Sequence, residues 1–376
     1  MKRAWLALAL VVAACGPAER VNPVSPMPRL STDWLPVMSY LDSVIAAGAA
    51  PGAVVAVSHR GDRFIFGTGT LGSDDTTRPG GSTIYDLASL TKVVALTPAI
   101  MLAVSEGRLA LDTAVQQYVP AFAGPDKEQV TVRMLLAHVS GLPAWRPLYR
   151  EARSRNEAFA LVDTTPLSAV PGTQAVYSDL GAILLTQAVE SAYGERIDSL
   201  VERRLFRPLD LASLRYLPPP PWHNRIAPTE LDPWRGRVLR GEVHDENAAI
   251  MDGVSGHAGL FGSAEDLLTF AEWVLDQAVV RPSVFAEFTT RQPLGDRALG
   301  WDMPSESGSS AGRKLSPSSI GHTGFTGTSL WIDPEHDLAI VLLSNRVHPT
   351  RDNPRWGPVR AAVADLVMTT LFEDAP

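Results

Sequence analysis

The 376-residue chain is 45% hydrophobic and 20% charged, the balance of a globular protein with room for one large core or two intertwined ones. Its net charge is −8, and its arginines are scattered among acids, which excludes the basic, aromatic-interleaved footprint of a nucleic-acid binder. Beyond the first residues, no stretch reaches the roughly 20 apolar residues that a membrane span requires.

Residues 1–15, MKRAWLALALVVAAC, place Lys2 and Arg3 before an apolar run from Ala4 to Ala14 and then Cys15. This is the layout of an export signal, too short for a spanning helix. Its end, VAAC, resembles the lipobox of bacterial lipoproteins, which implies cleavage before Cys15 and acylation of that residue. The alternatives are an ordinary signal cut elsewhere or a buried thiol, and with a single cysteine no intrachain disulfide forms. The expected location is therefore the exported face of a bacterial envelope, with a lipid on Cys15 as the membrane contact. Residues 16–32 are rich in Pro and polar residues and read as a tether.

Thr32 or Asp33 is a candidate cap for a helix bearing Leu35, Met38, Leu41, Val44 and Ile45 at three- and four-residue spacing, ending near Gly48. GAVVAVS and FIFGTGT, joined by HRGDR (59–63), predict a β-hairpin. Near the other end, TSLWID and LAIVLLSN flank PEHD (334–337) as a second hairpin. Residues 357–372 then set Val359, Val363, Leu366, Val367 and Leu371 on one helical face. A helix and a hairpin at each end predict one antiparallel sheet shared by the termini and covered by both helices. Between them, 89 to about 210 reads mostly helical, and 217–222 and 304–319 read as loops. The expected architecture is α/β with an inserted all-α region: 33–85 plus 250–376 for the sheet domain, and 86–249 for the mainly helical one.

Only Lys2, Lys92, Lys127 and Lys314 are lysines among 33 basic residues, so Arg is the habitual cation here. Lys92 stands three residues after Ser89 in SLTK, which puts the two side chains on one helical face. A serine hydroxyl needs a neighbour to take its proton. A desolvated lysine can lose its charge and serve, whereas Arg stays protonated. Alone, the pair is also what a solvated helix surface shows.

Two further stretches change this weighing: YSD (177–179) and HTG (322–324). With SLTK they resemble, in order, the nucleophile, Tyr-x-Asn and Lys-Thr-Gly motifs of the serine β-lactamase and penicillin-binding protein superfamily. The nearest branch contains class C β-lactamases, D-alanyl-D-alanine carboxypeptidases and related esterases. SEGRLALDTAVQQYVP (105–120), VTVRMLLAHVSGLP (130–143), VHDENA (243–248) and GVSGHAGLFGSAEDLLTF (253–270) extend the likeness, the last two toward lipoprotein-type D,D-carboxypeptidases. The likeness runs from about residue 33 to 372 and implies the β-lactamase/transpeptidase-like fold. It also implies Ser89 as nucleophile, Lys92 with Tyr177 as the proton-handling pair, and the N–H groups of Ser89 and Phe325 as the oxyanion hole. Asp179, His322, Thr323 and Gly324 complete the expected substrate-binding residues. The implied activity is hydrolysis through an acyl-enzyme, with cell-wall D-Ala peptides or β-lactams as substrate. No cofactor or metal is implied.

The chain departs from the family pattern at two positions. His322 replaces Lys, and a neutral imidazole donates a hydrogen bond but attracts a carboxylate less. Asp179 replaces Asn; an ionised carboxylate cannot donate to a substrate carbonyl but can pair with Lys92 and hold it charged. These departures keep two alternatives open, a carboxylesterase on the same scaffold and a penicillin-binding sensor with slow deacylation. His138 and His257 sit in Gly-bearing turns and read as packing or loop residues. HDE (244–246) lacks the spacing of a zinc helix, and GSSAG (308–312) lies in a loop rather than at a strand-to-helix elbow.

Overall fold

The computed structural model describes residues 33–278, 280–306 and 308–373. Cys15, the expected signal and tether, and Thr32 lie outside them. Helix α1 (Leu35–Ala46) begins where Asp33 Oδ1 accepts the Leu35 N–H at 3.0 Å. Its buried side carries Val37 and Leu41, while Leu35 is 61% exposed. Leu35 lies two residues, or about 200° of helix, from Val37, so it falls on the opposite face from the one its apolarity suggests.

Strands β1 (Gly52–His59) and β2 (Asp62–Gly69) form the first hairpin, closed by Arg60 and Gly61 at φ 52° and 82°. Two positive φ values make the tight turn whose twist matches that of the strands. The strands β3 (Ile84–Asp86), β4 (Arg215–Tyr216), β5 (Leu231–Asp232), β6 (Arg237–Val238) and β7 (Leu260–Ser263) are too short for alternation to reveal. They build a small β3-β7-β4 sheet and a β5-β6 pair. Near the chain end come β8 (Ile320–Thr323), β9 (Ser329–Asp333) and β10 (Leu338–Ser344). The main sheet has the order β2-β1-β10-β9-β8, and the chain ends join where β1 lies antiparallel to β10, Ala53 opposite Ser344 and His59 opposite Leu338.

The remaining helices are α2 (Thr97–Ser105), α3 (Val132–Leu136), α4 (Leu148–Glu151), α5 (Arg155–Thr164), α6 (Asp179–Tyr193), α7 (Ile197–Val201), α8 (Glu246–Ile250), α9 (Ala264–Leu275), α10 (Pro282–Thr289) and α11 (Val359–Phe372). Alternation along β1 divides the core. Ala53, Val55 and Val57 pack with Val37 and Leu41 of α1 and with Val359, Val363 and Val367 of α11. Val54 and Ala56 face the other way, toward Leu267, Phe270 and Ala271 of α9, in a core that continues without a break to Ile100 of α2 and Ile183 of α6. Because both faces are covered, β1 and β10 are buried along their whole length and read as continuous apolar runs. Truncating a central residue such as Ile340 or Leu342 to Ala is expected to cost about 2–5 kcal/mol.

Candidate active site

The loop leaving β3 carries Ser89. Asp86 is buried, and burial raises its carboxyl pKa, although it accepts the N–H groups of His244 (2.6 Å) and Ala88 (2.8 Å). Ala88 holds φ +47°, a left-handed conformation that costs a non-glycine residue about 1–2 kcal/mol. Thr326 and Thr328, in the turn between β8 and β9, fix that conformation by donating to the carbonyls of Asp86 (2.7 Å) and Leu87 (3.1 Å). The N–H groups of Leu90, Thr91 and Lys92 then bond back three residues, each at 3.0 Å. In such a turn, residues three apart eclipse one another, and Lys92 Nζ lies 3.0 Å from Ser89 Oγ. A π-helical turn follows over Lys92–Leu96, closed by Thr97 N–H on the Lys92 carbonyl. Pro98 comes next and has no N–H with which to continue a regular α-helix from Val94.

Lys92 is buried; its ammonium donates to Ser89 Oγ at 3.0 Å and to the His257 carbonyl at 3.0 Å, and it forms an ion pair with Asp179 Oδ1 at 2.7 Å. Burial alone would lower its pKa, but the Asp179 charge and the Tyr177 oxygen outweigh burial and raise it. Tyr177 donates to Ser89 Oγ at 2.9 Å, so the serine oxygen receives two donors. Burial raises the Tyr177 pKa, Lys92 opposes this and Asp179 adds to it.

Tyr177 is placed by the segment read as a turn around His138. The Ser178 N–H donates to His138 Nδ1 at 3.1 Å, and the Val176 N–H to the His138 carbonyl at 2.8 Å. Ser178 Oγ donates to the Pro143 carbonyl and caps α6 by accepting the Gly181 N–H at 3.1 Å. His138 is held far below its usual pKa, by burial and then by Arg297. It is a neutral brace with its proton on Nε2.

His322 is buried beside the Tyr177 ring, 5.7 Å between ring centroids, and burial lowers its pKa. Its Nδ1 lies 2.7 Å from the Thr323 carbonyl, which can only accept, so the proton sits on Nδ1. The buried Nε2 has no hydrogen-bond partner among the described residues and presents a lone pair. This corrects the expectation that a neutral His322 donates to substrate, since the ring spends its proton on its own strand. Gly324 is where β8 and the serine loop touch: a Cβ there would stand 2.1 Å from Thr328 Oγ1 and 2.5 Å from the Leu87 carbonyl. Among the described residues the N–H groups of Ser89 and Phe325 donate to no acceptor.

Two cavities open from this centre. One, of about 330 Å³, is lined by Ser89, Tyr177, His322, Thr323, Arg346 and Arg360. Arg346 donates to the Phe325 carbonyl at 2.9 Å, and Arg360 to those of Gly324 (2.6 Å) and Thr328 (3.2 Å). Neither forms an ion pair with a carboxylate among the described residues, whereas Arg297 in the same wall pairs with Asp302. Burial, then the charge of Arg346, lowers the Arg360 pKa to about 10. The second cavity, about 370 Å³, lies toward Trp145, His244, Asp245, Glu246 and Arg351, with Ser89, Tyr177 and Asp179 at its edge. The HDE triplet is already engaged there: His244 with Glu230, Asp245 with His257, Glu246 with Arg351.

The Beta-lactamase family model matches residues 40–365. The chain belongs to the β-lactamase family. It is 33% identical over 317 residues to the "Putative D-alanyl-D-alanine carboxypeptidase" of Salmonella schwarzengrund (strain CVM19633), covering 74% of this chain and 72% of the relative. The fold matches a penicillin-binding protein homolog from Caulobacter crescentus (TM-score 0.73, 18% identity, 89% of this chain and 96% of that one). It also matches EstCE1, a hydrolase with promiscuous acyltransferase activity (TM-score 0.70, 19% identity, 87% and 97%). This β-lactamase-family protein is a serine hydrolase of that scaffold.

The structure of this β-lactamase-family hydrolase brings together Ser89, Lys92, Tyr177, Asp179, His322, Thr323, Gly324 and Phe325. Sequence reasoning missed Arg346 and Arg360, because arginine is this chain's general-purpose cation and no spacing sets those two apart. It also missed Asp86, whose only sign is its place before the nucleophile loop.

Proposed function

We propose that this protein transfers the acyl group of a carboxylate-bearing amide, a D-Ala-D-Ala peptide or a β-lactam, to Ser89 and then to water. The observation that carries the proposal is the convergence of Lys92 and Tyr177 on Ser89 Oγ at 3.0 and 2.9 Å, beside two unengaged N–H groups. Ser89 Oγ bonds to the carbonyl carbon, and the N–H groups of Ser89 and Phe325 take the negative charge that develops on oxygen. Lys92, held charged by its ion pair with Asp179, has no lone pair to offer. The serine proton therefore passes to the Tyr177 oxygen in the fraction of molecules whose phenol is ionised, an ionisation that the Lys92 ammonium favours and that burial and Asp179 oppose. The C–N bond breaks as that proton reaches the departing nitrogen, leaving an ester on Ser89. Water then adds to this ester by the same proton route, releasing the acid and restoring Ser89.

A substrate carboxylate is matched to Arg346 and Arg360, two cations in one wall without an anionic partner among the described residues. One observation favours an esterase instead: the imidazole of His322 carries no charge and no free proton where the family has Lys. Rates on a diacyl-Lys-D-Ala-D-Ala peptide, nitrocefin and p-nitrophenyl esters separate the two readings. Activity confined to the esters would overturn the proposal.

We further propose an exported lipoprotein anchored through Cys15, on the strength of Lys2, Arg3, the apolar run and the VAAC tail. Membrane fractionation of cells carrying Cys15→Ala tests this. Release of the protein from the membrane fraction is the expected result.

A further inference from the structure

Asp245 and His257 do not touch Ser89, yet they determine where one of the acceptors of Lys92 stands. The His257 ring is buried with both nitrogens engaged, Nε2 at 2.9 Å from Asp245 Oδ1 and Nδ1 at 2.8 Å from Ser255 Oγ. Asp245 is itself anchored, because its Oδ1 caps α8 by accepting the Ala248 N–H at 2.7 Å. Burial would raise its carboxyl pKa, but His257 and the capping bond hold it well below the usual carboxylate range. With the ring pinned from two sides, the backbone carbonyl of His257 has one place to be, 3.0 Å from Lys92 Nζ.

The flanking residues leave no slack. The Gly256 N–H donates to Thr186 Oγ1 at 2.9 Å, and Tyr216 donates to the Ser255 carbonyl at 3.0 Å. A Cβ on Gly256 would stand 2.5 Å from Thr186 Oγ1 and 2.8 Å from Leu96 Cδ1.

We infer that Asp245 and His257 form a buried positioning pair that holds the His257 carbonyl on the Lys92 ammonium, so that the ammonium points at Ser89 Oγ and stays beside Tyr177. A His–Asp pair in a serine hydrolase invites reading as a proton relay. Here the imidazole bonds to Asp245 and Ser255, and only the main chain of His257 reaches the proton-handling group. The inference rests on the acyl-enzyme reading of Ser89.

The test uses the full-length protein and a fluorescent penicillin or fluorophosphonate, following the acylation rate, the probe concentration giving half-maximal rate, and the pH profile. His257→Ala should slow acylation about 100-fold, the cost of roughly 1 Å of misplacement, with half-saturation changed by less than about threefold. The acid limb of the profile should move to higher pH, because an ammonium displaced from Tyr177 stabilises its anion less. Asp245→Asn keeps an oxygen for the Ala248 N–H and for the imidazole and should restore the rate to within about fivefold of wild type. Wild-type rate and limb in His257→Ala would overturn the inference. So would a loss of rate in both variants that follows thermal stability while the limb stays put. Failure of the wild-type protein to label at Ser89 would instead overturn the reading on which the inference rests.

Discussion

Replacing Asp179 by Asn probes the electrostatics of the site directly. The carboxylate lies 2.7 Å from Lys92 Nζ, and its charge raises the pKa of both Lys92 and Tyr177. The group that takes the serine proton must be unprotonated, so the acylation rate falls as pH drops through its pKa. Removing the negative charge lowers the pKa of Tyr177, the acceptor, and the acid limb of the profile moves to lower pH. Two charges about 5 Å apart interact by ~3 kcal/mol at an effective dielectric of about 20, the scale expected between Asp179 and a Tyr177 anion that share the Lys92 ammonium. On the acid limb this is about a 100-fold gain in acylation rate for Asp179→Asn, since each 1.36 kcal/mol is tenfold. Stopped-flow acylation by nitrocefin or a labelled penicillin across pH measures it. A limb that stays in place, or moves up, would refute the account of Asp179.

Three other substitutions test neighbouring parts of the site. Lys92→Arg should reduce acylation by about 10³-fold, because the planar guanidinium cannot keep both hydrogen bonds and the ion pair that the buried ammonium makes; probe labelling against a melting curve checks it. Arg360→Gln should lower kcat/KM on carboxylate-bearing substrates by at least ~30-fold, about 2 kcal/mol, while p-nitrophenyl ester hydrolysis changes much less. Gly324→Ala should slow acylation by about 100-fold with circular dichroism unchanged, because the added methyl pushes β8 off the serine loop.

The two hairpins were legible because the apolar runs GAVVAVS and LAIVLLS each adjoin a turn signal, Arg60–Gly61 in the first hairpin and PEHD in the second. The edge strand β8 was found only through its HTG motif. The strands β3 to β7 run two to four residues and leave no period to read. Leu35 misled because apolar identity says nothing of the helical face when the buried stripe is set by Val37 and Leu41. Ser89, Lys92 and Tyr177 stood out through motif order. Their supports did not: the His138 imidazole and the His257 carbonyl act through single atoms that residue type does not disclose. For His322, charge was the visible property. Its tautomer, the property that decides what it can do, depends on a contact with its own strand.

The central claim is a covalent bond to Ser89. Intact-protein mass spectrometry after incubation with a penicillin or a fluorophosphonate, followed by peptide mapping, measures it. The account predicts one adduct, on the peptide containing Ser89, absent from Ser89→Ala and strongly reduced in Lys92→Arg and Tyr177→Phe. An adduct on another residue, or turnover of these substrates that persists in Ser89→Ala, would contradict it.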